Sequence, residues 1–89
     1  MSEESNRIAR DIYKLVEPLW KKQRNTLYEL RVVMPKFQHG INVFFEWNKL
    51  GKSTTSRAIK SYKAIEKDEV LEAVEFLKKE YNLTVKIYD

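Results

Sequence analysis

The lone histidine and a group of acidic residues are the features of this 89-residue chain that most readily suggest catalysis or metal binding. His39 is the only histidine and there is no cysteine, so a metal site or a catalytic dyad would lack its usual partners. Four acidic residues lie close together in the sequence, at Asp68, Glu69, Glu72 and Glu75. Nucleases use clustered acidic residues to hold Mg²⁺. Their helical periodicity, with lysines nearby, is typical of the solvated face of an amphipathic helix. We therefore predict no catalytic residue, no metal site and no cofactor, and we expect the protein not to be an enzyme.

A second candidate is the segment Gly51-Lys52-Ser53-Thr54, which matches the end of a phosphate-binding P-loop. The motif requires another glycine five residues before Gly51, and that position holds Glu46. A P-loop also opens a helix, whereas this segment joins two predicted strands. We interpret it as a basic turn in which Gly51 adopts a positive φ.

Lysine and arginine are concentrated in the middle of the chain. The stretch from Trp20 to Lys63 holds ten of them against two acids, a net charge of +8, although the whole chain carries only +4. A surface with this charge is suited to a polyanion such as nucleic acid. We predict phosphate contacts from nine of these side chains, which are Lys21, Lys22, Arg24, Arg31, Lys49, Lys52, Arg57, Lys60 and Lys63.

Aromatic side chains alternate with these cations. Phe44 falls on the polar side of its predicted strand, as Arg31 does on the neighbouring strand, so we predict that Phe44 stacks on unpaired bases. Trp20, next to two lysines, is the second predicted stacking residue, and Phe37 and Tyr62 are further candidates. The alternative for Phe44 is that a helix or another subunit covers it.

Two segments of alternating polarity predict the hairpin that positions these residues. The first strand runs from about residue 25 to 34 with apolar side chains at even positions, and the second covers residues 41–47 with apolar side chains at odd positions. An antiparallel hairpin would place both apolar sets on one face, with the pairs Tyr28 and Trp47, Leu30 and Phe45, Val32 and Val43, and Met34 and Ile41.

Two amphipathic helices and two more strands complete the predicted elements. Ser2 caps a helix from about residue 4 to 22, in which Pro18 is expected to kink the helix or end it early. Residues 54–65 are predicted as a third strand, with a bulge because neither side is uniformly apolar. A second helix begins at Lys67 and stops at Asn82 in a left-handed conformation, before a last strand over residues 83–88.

The predicted order is therefore α-β-β-β-α-β, which indicates one α+β domain over residues 1–89, with an antiparallel sheet and both helices packed on one face. No signal-peptide pattern and no apolar run of membrane-spanning length is visible, so we expect a cytoplasmic protein without membrane contact. The high content of lysine and glutamate favours a thermophilic source.

In architecture and composition the chain resembles the ThermoDBP-type archaeal single-stranded DNA-binding proteins. The residues that carry the resemblance are a long helix ending at Trp20, strands containing Tyr28 and Phe44-Phe45-Glu46-Trp47, and the basic residues between them. In that family, antiparallel strands grip a long helix and form a basic cleft lined with apolar and aromatic groups. The resemblance implies an archaeal protein that binds single-stranded DNA.

The charge and the aromatic residues together predict a non-enzymatic protein that binds single-stranded nucleic acid, with DNA favoured over RNA. Two alternatives remain open. One is a protein-interaction module or homodimer, because Leu27, Val33 and Phe44 would form an apolar group on the second face of the sheet. The other is binding of duplex DNA or structured RNA, as in a chromatin or ribosomal accessory protein.

Overall fold

The computed structural model of the chain describes residues 2–34 and 40–88. The helices are α1 (Glu3–Val16) and α2 (Lys67–Tyr81), and the strands are β1 (Thr26–Val33), β2 (Gly40–Lys49), β3 (Thr55–Lys63) and β4 (Val85–Tyr88). A 3₁₀ turn, Ala64–Glu66, links β3 to α2. This order confirms the α+β class and the predicted succession of elements.

The four strands form one mixed sheet in the order β3-β2-β1-β4. The pairs β1–β2 and β2–β3 are antiparallel, but β1 and β4 are parallel. The prediction of a purely antiparallel sheet was therefore wrong. Helix α2 lies between β3 and β4 in the chain. Two strands of one sheet that are joined by a crossover helix run parallel to each other. Since β3 runs parallel to β1, β4 does so as well.

The structure confirms three of the four predicted hairpin pairs, and the fourth, Met34 with Ile41, lies beyond Val33, the last residue of β1. Tyr28 is opposite Trp47, Leu30 is opposite Phe45, and Val32 is opposite Val43. The predicted bulge is also present, because Val43 pairs with Lys60 and Phe44 with Ala58, which leaves Ile59 without a partner on β2. The extra residue explains why β3 shows no uniform alternation in its sequence.

Both helices contribute to one hydrophobic core on one face of the sheet. The buried side chains include Ile8, Ile12, Val16, Leu30, Val32, Val43, Phe45, Val70, Val74 and Leu77. Each side chain of this size contributes about 1.5–3 kcal/mol when it is removed from water. The alternate residues of the strands point away from the helices, and we call this second side of the sheet the open face. Its residues are Leu27, Glu29, Arg31, Val33, Asn42, Phe44, Glu46, Asn48, Lys86 and Tyr88.

Helix α1 is shorter than the predicted range of about residue 4 to 22. Ser2 caps it as predicted, since its Oγ accepts a hydrogen bond from the Ser5 backbone N–H at 3.1 Å. The helix ends at Val16, two residues before Pro18, because proline has no N–H to continue the ladder. The Val16 carbonyl accepts hydrogen bonds from the N–H groups of Leu19 (2.8 Å) and Trp20 (2.9 Å), which closes the helix with a tight turn.

Helix α2 begins and ends where the sequence predicts. It starts at Lys67 and is followed by Asn82 in the left-handed conformation, with φ 56° and ψ 36°. In the part of the chain that the structure describes, neither helix is long and apolar enough to cross a membrane.

Candidate nucleic-acid interface

Two connecting segments lie side by side at one end of the sheet. The α1–β1 connection (residues 17–25) and the β2–β3 turn (residues 50–54) are joined by a hydrogen bond from the Leu50 N–H to the Asn25 carbonyl, at 2.9 Å. Next to this bond, Thr26 pairs with Lys49 across the hairpin. The pairing brings cations from three parts of the chain to one end, which we call the basic end. Its members are Lys21, Lys22, Arg24, Lys49, Lys52 and Arg57.

The positive charge of the basic end is not neutralised by neighbouring acids. All six side chains belong to exposed residues. Within residues 2–34 and 40–88, none of the six has a carboxylate oxygen within 4.0 Å, although other cations of the chain do form such pairs. The segments 17–28 and 47–57 contain one acid, Glu17. These cations are therefore available to neutralise phosphates.

Aromatic rings lie beneath the cations on the core side of the sheet. Phe45 is completely buried and contacts the rings of Tyr28, with centroids 6.0 Å apart and planes at 21°, and of Trp47, at 5.9 Å. Tyr28 and Trp47 are only half-buried, since they occupy the end of the sheet beyond the last residue of α1. Their partly exposed surfaces are available to a ligand.

A groove with a volume of about 280 Å³ opens over these rings, and we call it the end groove. It is lined by Pro18, Leu19, Lys21, Gln23, Tyr28, Trp47 and Arg57. The Gln23 N–H donates a hydrogen bond to the Tyr28 hydroxyl oxygen at 3.1 Å, which holds the α1–β1 connection against the sheet. In this connection Lys22 and Asn25 have positive φ values of 52° and 58°. Such conformations cost free energy in residues other than glycine and are concentrated at functional sites.

Trp20 is next to the end groove but does not line it. Its ring packs partly against the hydrophobic core, and the Lys22 ammonium lies 4.6 Å from the ring centroid. One face of the indole is therefore already occupied by a cation, which a base would have to displace in order to stack there.

Arg31 and Phe44 are adjacent on the open face, as predicted, but the environment of Arg31 is acidic. Its Nη1 lies 2.8 Å from a Glu46 oxygen, and its Nε lies 3.9 Å from a Glu29 oxygen. The guanidinium also stacks over the Tyr88 ring at 4.4 Å. The hydrogen bond to Glu46, supported by Tyr88, raises the pKa of Arg31 above its ordinary value. These contacts compete with any phosphate, so the structure does not favour the predicted pair of Phe44 and Arg31 as a binding platform.

The remaining predicted residues lie toward the other end of β3. Lys63 is eight residues along β3 from Thr55, a distance of about 26 Å in an extended strand. Lys60 pairs with Asp11 of α1, with Nζ 3.4 Å from the carboxylate oxygen. Tyr62 is 7% exposed and belongs to the core, where burial raises its pKa to about 12. A core position prevents Tyr62 from stacking on a base, so the structure contradicts that assignment.

Two other sequence interpretations concern loops. The segment at Gly51 forms a turn between β2 and β3, with φ 81° at Gly51 and a hydrogen bond from the Lys52 N–H to the Lys49 carbonyl. This confirms a turn rather than a P-loop. Phe37 and His39 lie outside the described residues. Among residues 2–34 and 40–88, no three acidic or histidine side chains are grouped closely enough to hold a metal ion.

Sequence reasoning missed five residues that line the end groove. Tyr28 and Trp47 were assigned to the core because they lie on the apolar side of their strands. Pro18 was interpreted only as a helix breaker, and Leu19 and Gln23 were not predicted as site residues. The signal that pointed to them was Pro18: a helix that stops there leaves the end of the sheet uncovered.

The chain was compared with models of protein families, with curated proteins and with solved structures, and nothing matches it in any of the three. The similarity to the ThermoDBP-type proteins therefore stays a prediction based on architecture and composition.

Proposed function

We propose that this protein binds single-stranded nucleic acid without catalysing a reaction, and that the basic end is its binding surface. The observation that carries the proposal is the position of six exposed cations, none of them in an ion pair within the described residues, around partly exposed aromatic rings. Lysine and arginine neutralise the phosphates, and aromatic rings stack on bases of any sequence at about 1–3 kcal/mol per base.

A single strand suits this surface better than a duplex does. The rings of Tyr28 and Trp47 lie in a groove rather than on a protruding helix or strand, so a base must leave its own stack to reach them. We propose single-stranded DNA as the ligand, with RNA as the comparison.

The test is a titration of labelled oligo-dT at several salt concentrations. Each phosphate neutralised on a single strand contributes about 0.7 to the slope of log affinity against log salt. The variant Arg57→Gln should weaken binding and reduce the slope by about 0.7. Lys67→Gln is the matched control, because Lys67 is an exposed cation at the start of α2, beyond the opposite end of β3.

The control variant should retain both the affinity and the slope of the unaltered protein. No binding at low salt would disprove the proposal. Equal effects of Arg57→Gln and Lys67→Gln would show that net charge attracts the strand without a defined surface. Duplex DNA and an RNA oligonucleotide, used as competitors, would show which polyanion is preferred.

A second candidate function is self-association through the open face. It is favoured by Leu27, which is 69% exposed, and by the half-buried Val33 and Phe44 on the same face. Apolar side chains left exposed on one face of a sheet can mark a protein–protein interface. Light scattering on the unaltered protein and on Leu27→Lys tests this, since a dimer through the open face should dissociate in the variant.

A further inference from the structure

The end groove is slightly smaller than a typical ligand pocket. Its volume of about 280 Å³ lies just below the range of about 300–1,000 Å³ that is usual for pockets holding drug-sized ligands. A nucleobase is smaller than a drug-sized molecule, so the groove has room for a base.

The chemistry of the lining suits a base that carries a phosphate. Pro18 and Leu19 supply aliphatic surface, and Tyr28 and Trp47 supply rings on which a heterocycle can stack. Lys21 and Arg57 bring two positive charges from different elements, and no carboxylate of residues 2–34 and 40–88 lines the groove. A guanidinium binds a phosphate through two parallel hydrogen bonds, which gives orientation in addition to charge.

The groove also contains polar groups that can contact the edge of a base. The Tyr28 hydroxyl oxygen already accepts a hydrogen bond from the Gln23 N–H, so its own proton is free to be donated. The Gln23 side chain can both donate and accept. Carbonyl oxygens and ring nitrogens of bases are suitable partners for both groups.

We propose that the end groove binds one nucleotide unit, with the base on Tyr28 and Trp47 and the phosphate between Lys21 and Arg57. Where the nucleotide is part of a single-stranded nucleic acid, this inference rests on the function proposed above. The same chemistry would bind a free nucleoside monophosphate, and the experiment separates these two sources.

The probe is thymidine monophosphate, observed by NMR on ¹⁵N-labelled protein. The chain has two tryptophans, which give two indole N–H signals, and the variant Trp20→Phe identifies the signal of Trp47. We expect thymidine monophosphate to shift the Trp47 signal in a saturable manner. Thymidine and inorganic phosphate, each lacking half of the unit, should bind at least about tenfold more weakly, as expected for the loss of a charged hydrogen bond or of stacking.

Variants then separate the groove from the rest of the basic end. Arg57→Gln should lower the affinity for thymidine monophosphate on the order of tenfold, through the loss of its charged hydrogen bonds. Lys49→Gln, a change in the basic end but outside the groove, should lower it far less, although both variants should reduce the salt slope for oligo-dT by about 0.7. Lys67→Gln should change neither ligand's binding.

The outcomes distinguish this inference from the proposed function. If oligo-dT binds with a steep salt dependence but thymidine monophosphate never shifts Trp47, the groove is not a nucleotide site and the general function stands. If thymidine monophosphate binds and oligo-dT does not, the groove takes free nucleotides and the single-strand proposal is wrong. Equal binding of inorganic phosphate and thymidine monophosphate would overturn the inference, because the base would then contribute nothing.

Discussion

At the scale of single residues, Tyr62 shows how an aromatic residue in a basic segment can be a core residue. It lies between Lys60 and Lys63 in the sequence, which favoured a nucleic-acid contact, yet it pairs with Ile41 and faces the helices. Its ring is buried, the Lys60 ammonium lies 5.5 Å from the ring centroid, and its hydroxyl oxygen is buried without a hydrogen-bond partner among the described residues. The ring stabilises the core, but the hydroxyl group does not.

We predict that Tyr62→Phe is as stable as the unaltered protein at neutral pH, or slightly more stable, because it removes an unsatisfied buried hydroxyl. Burial in the folded protein raises the pKa of Tyr62 from 10.0 to about 12. As the pH rises, the Tyr62 hydroxyl therefore loses its proton at a lower pH in the unfolded chain than in the folded protein. The contribution of Tyr62 to stability is therefore constant below pH 10 and falls as the pH rises from 10 to 12, by about 2–3 kcal/mol in all. In Tyr62→Phe, the loss of stability that Tyr62 causes between pH 10 and pH 12 should be absent.

Urea denaturation at pH 8 and at pH 11 measures both effects. Tyr81→Phe is the control, since it removes a phenol hydroxyl from an exposed residue outside the core. An alkaline loss of stability in Tyr62→Phe as large as that of the unaltered protein would refute the prediction. Binding of oligo-dT at neutral pH should be the same for Tyr62→Phe and the unaltered protein.

At the scale of elements, the ends of the helices decide where the candidate site can form. Pro18 stops α1 at Val16, and the connection that follows crosses the end of the sheet instead of covering it with another helical turn. The end groove exists because of that early stop. At the end of α2, Asn82 turns the chain so that Leu83 is buried and β4 can pair with β1.

We predict that Asn82→Ala destabilises the protein by about 1 kcal/mol. Residue 82 adopts φ 56°, a left-handed conformation that an alanine side chain disfavours by about 1–2 kcal/mol and that asparagine tolerates better. Asn82→Gly is the matched comparison and should be close to neutral, because glycine has no Cβ. Urea denaturation at pH 7 gives both values, and equal stabilities of the alanine and glycine variants would show that the backbone conformation is not limiting.

At the scale of the whole molecule, the charges are divided between two surfaces. Within residues 2–34 and 40–88 the six cations of the basic end have no ion-pair partner, whereas on the open face Glu29 pairs with Lys86, at 3.7 Å, and Glu46 pairs with Arg31. Counted along the chain, Arg31 contributes to the positive middle segment as much as each cation of the basic end does. In the folded protein the charge of Arg31 is held by Glu46, whereas the cations of the basic end remain exposed.

We predict that Arg31→Gln lowers the free energy of unfolding, because it leaves the half-buried Glu46 without its cation. It should leave the salt slope for oligo-dT unchanged, in contrast to Arg57→Gln, which should reduce the slope by about 0.7. Denaturation and salt titration of the two variants test this difference. A reduced salt slope for oligo-dT in Arg31→Gln would show that the nucleic acid binds on the open face. Phe44→Ala would then be expected to weaken binding as well.

Local signals in the sequence were sufficient for most of the fold. The alternation of apolar residues set the hairpin register, because a shift by one residue would have exposed the whole apolar side of a strand. The ends of the helices and the turn between β2 and β3 were marked by residues with special backbone or hydrogen-bonding properties, which are Ser2, Pro18, Gly51 and Asn82. The order of elements and the concentration of cations in the middle segment also follow from the sequence alone.

The tertiary structure decided the direction of β4, the burial of Tyr62 and which cations lie together at the basic end. These properties depend on which segments become neighbours, and neither periodicity nor composition contains that information. Arg31 and Arg57 are equivalent as basic residues of strands, but β2 places Glu46 against Arg31, while the end of α1 leaves Arg57 beside an open groove. Strand pairing thus holds Arg31 in an ion pair, whereas the early end of α1 leaves Arg57 available to a ligand.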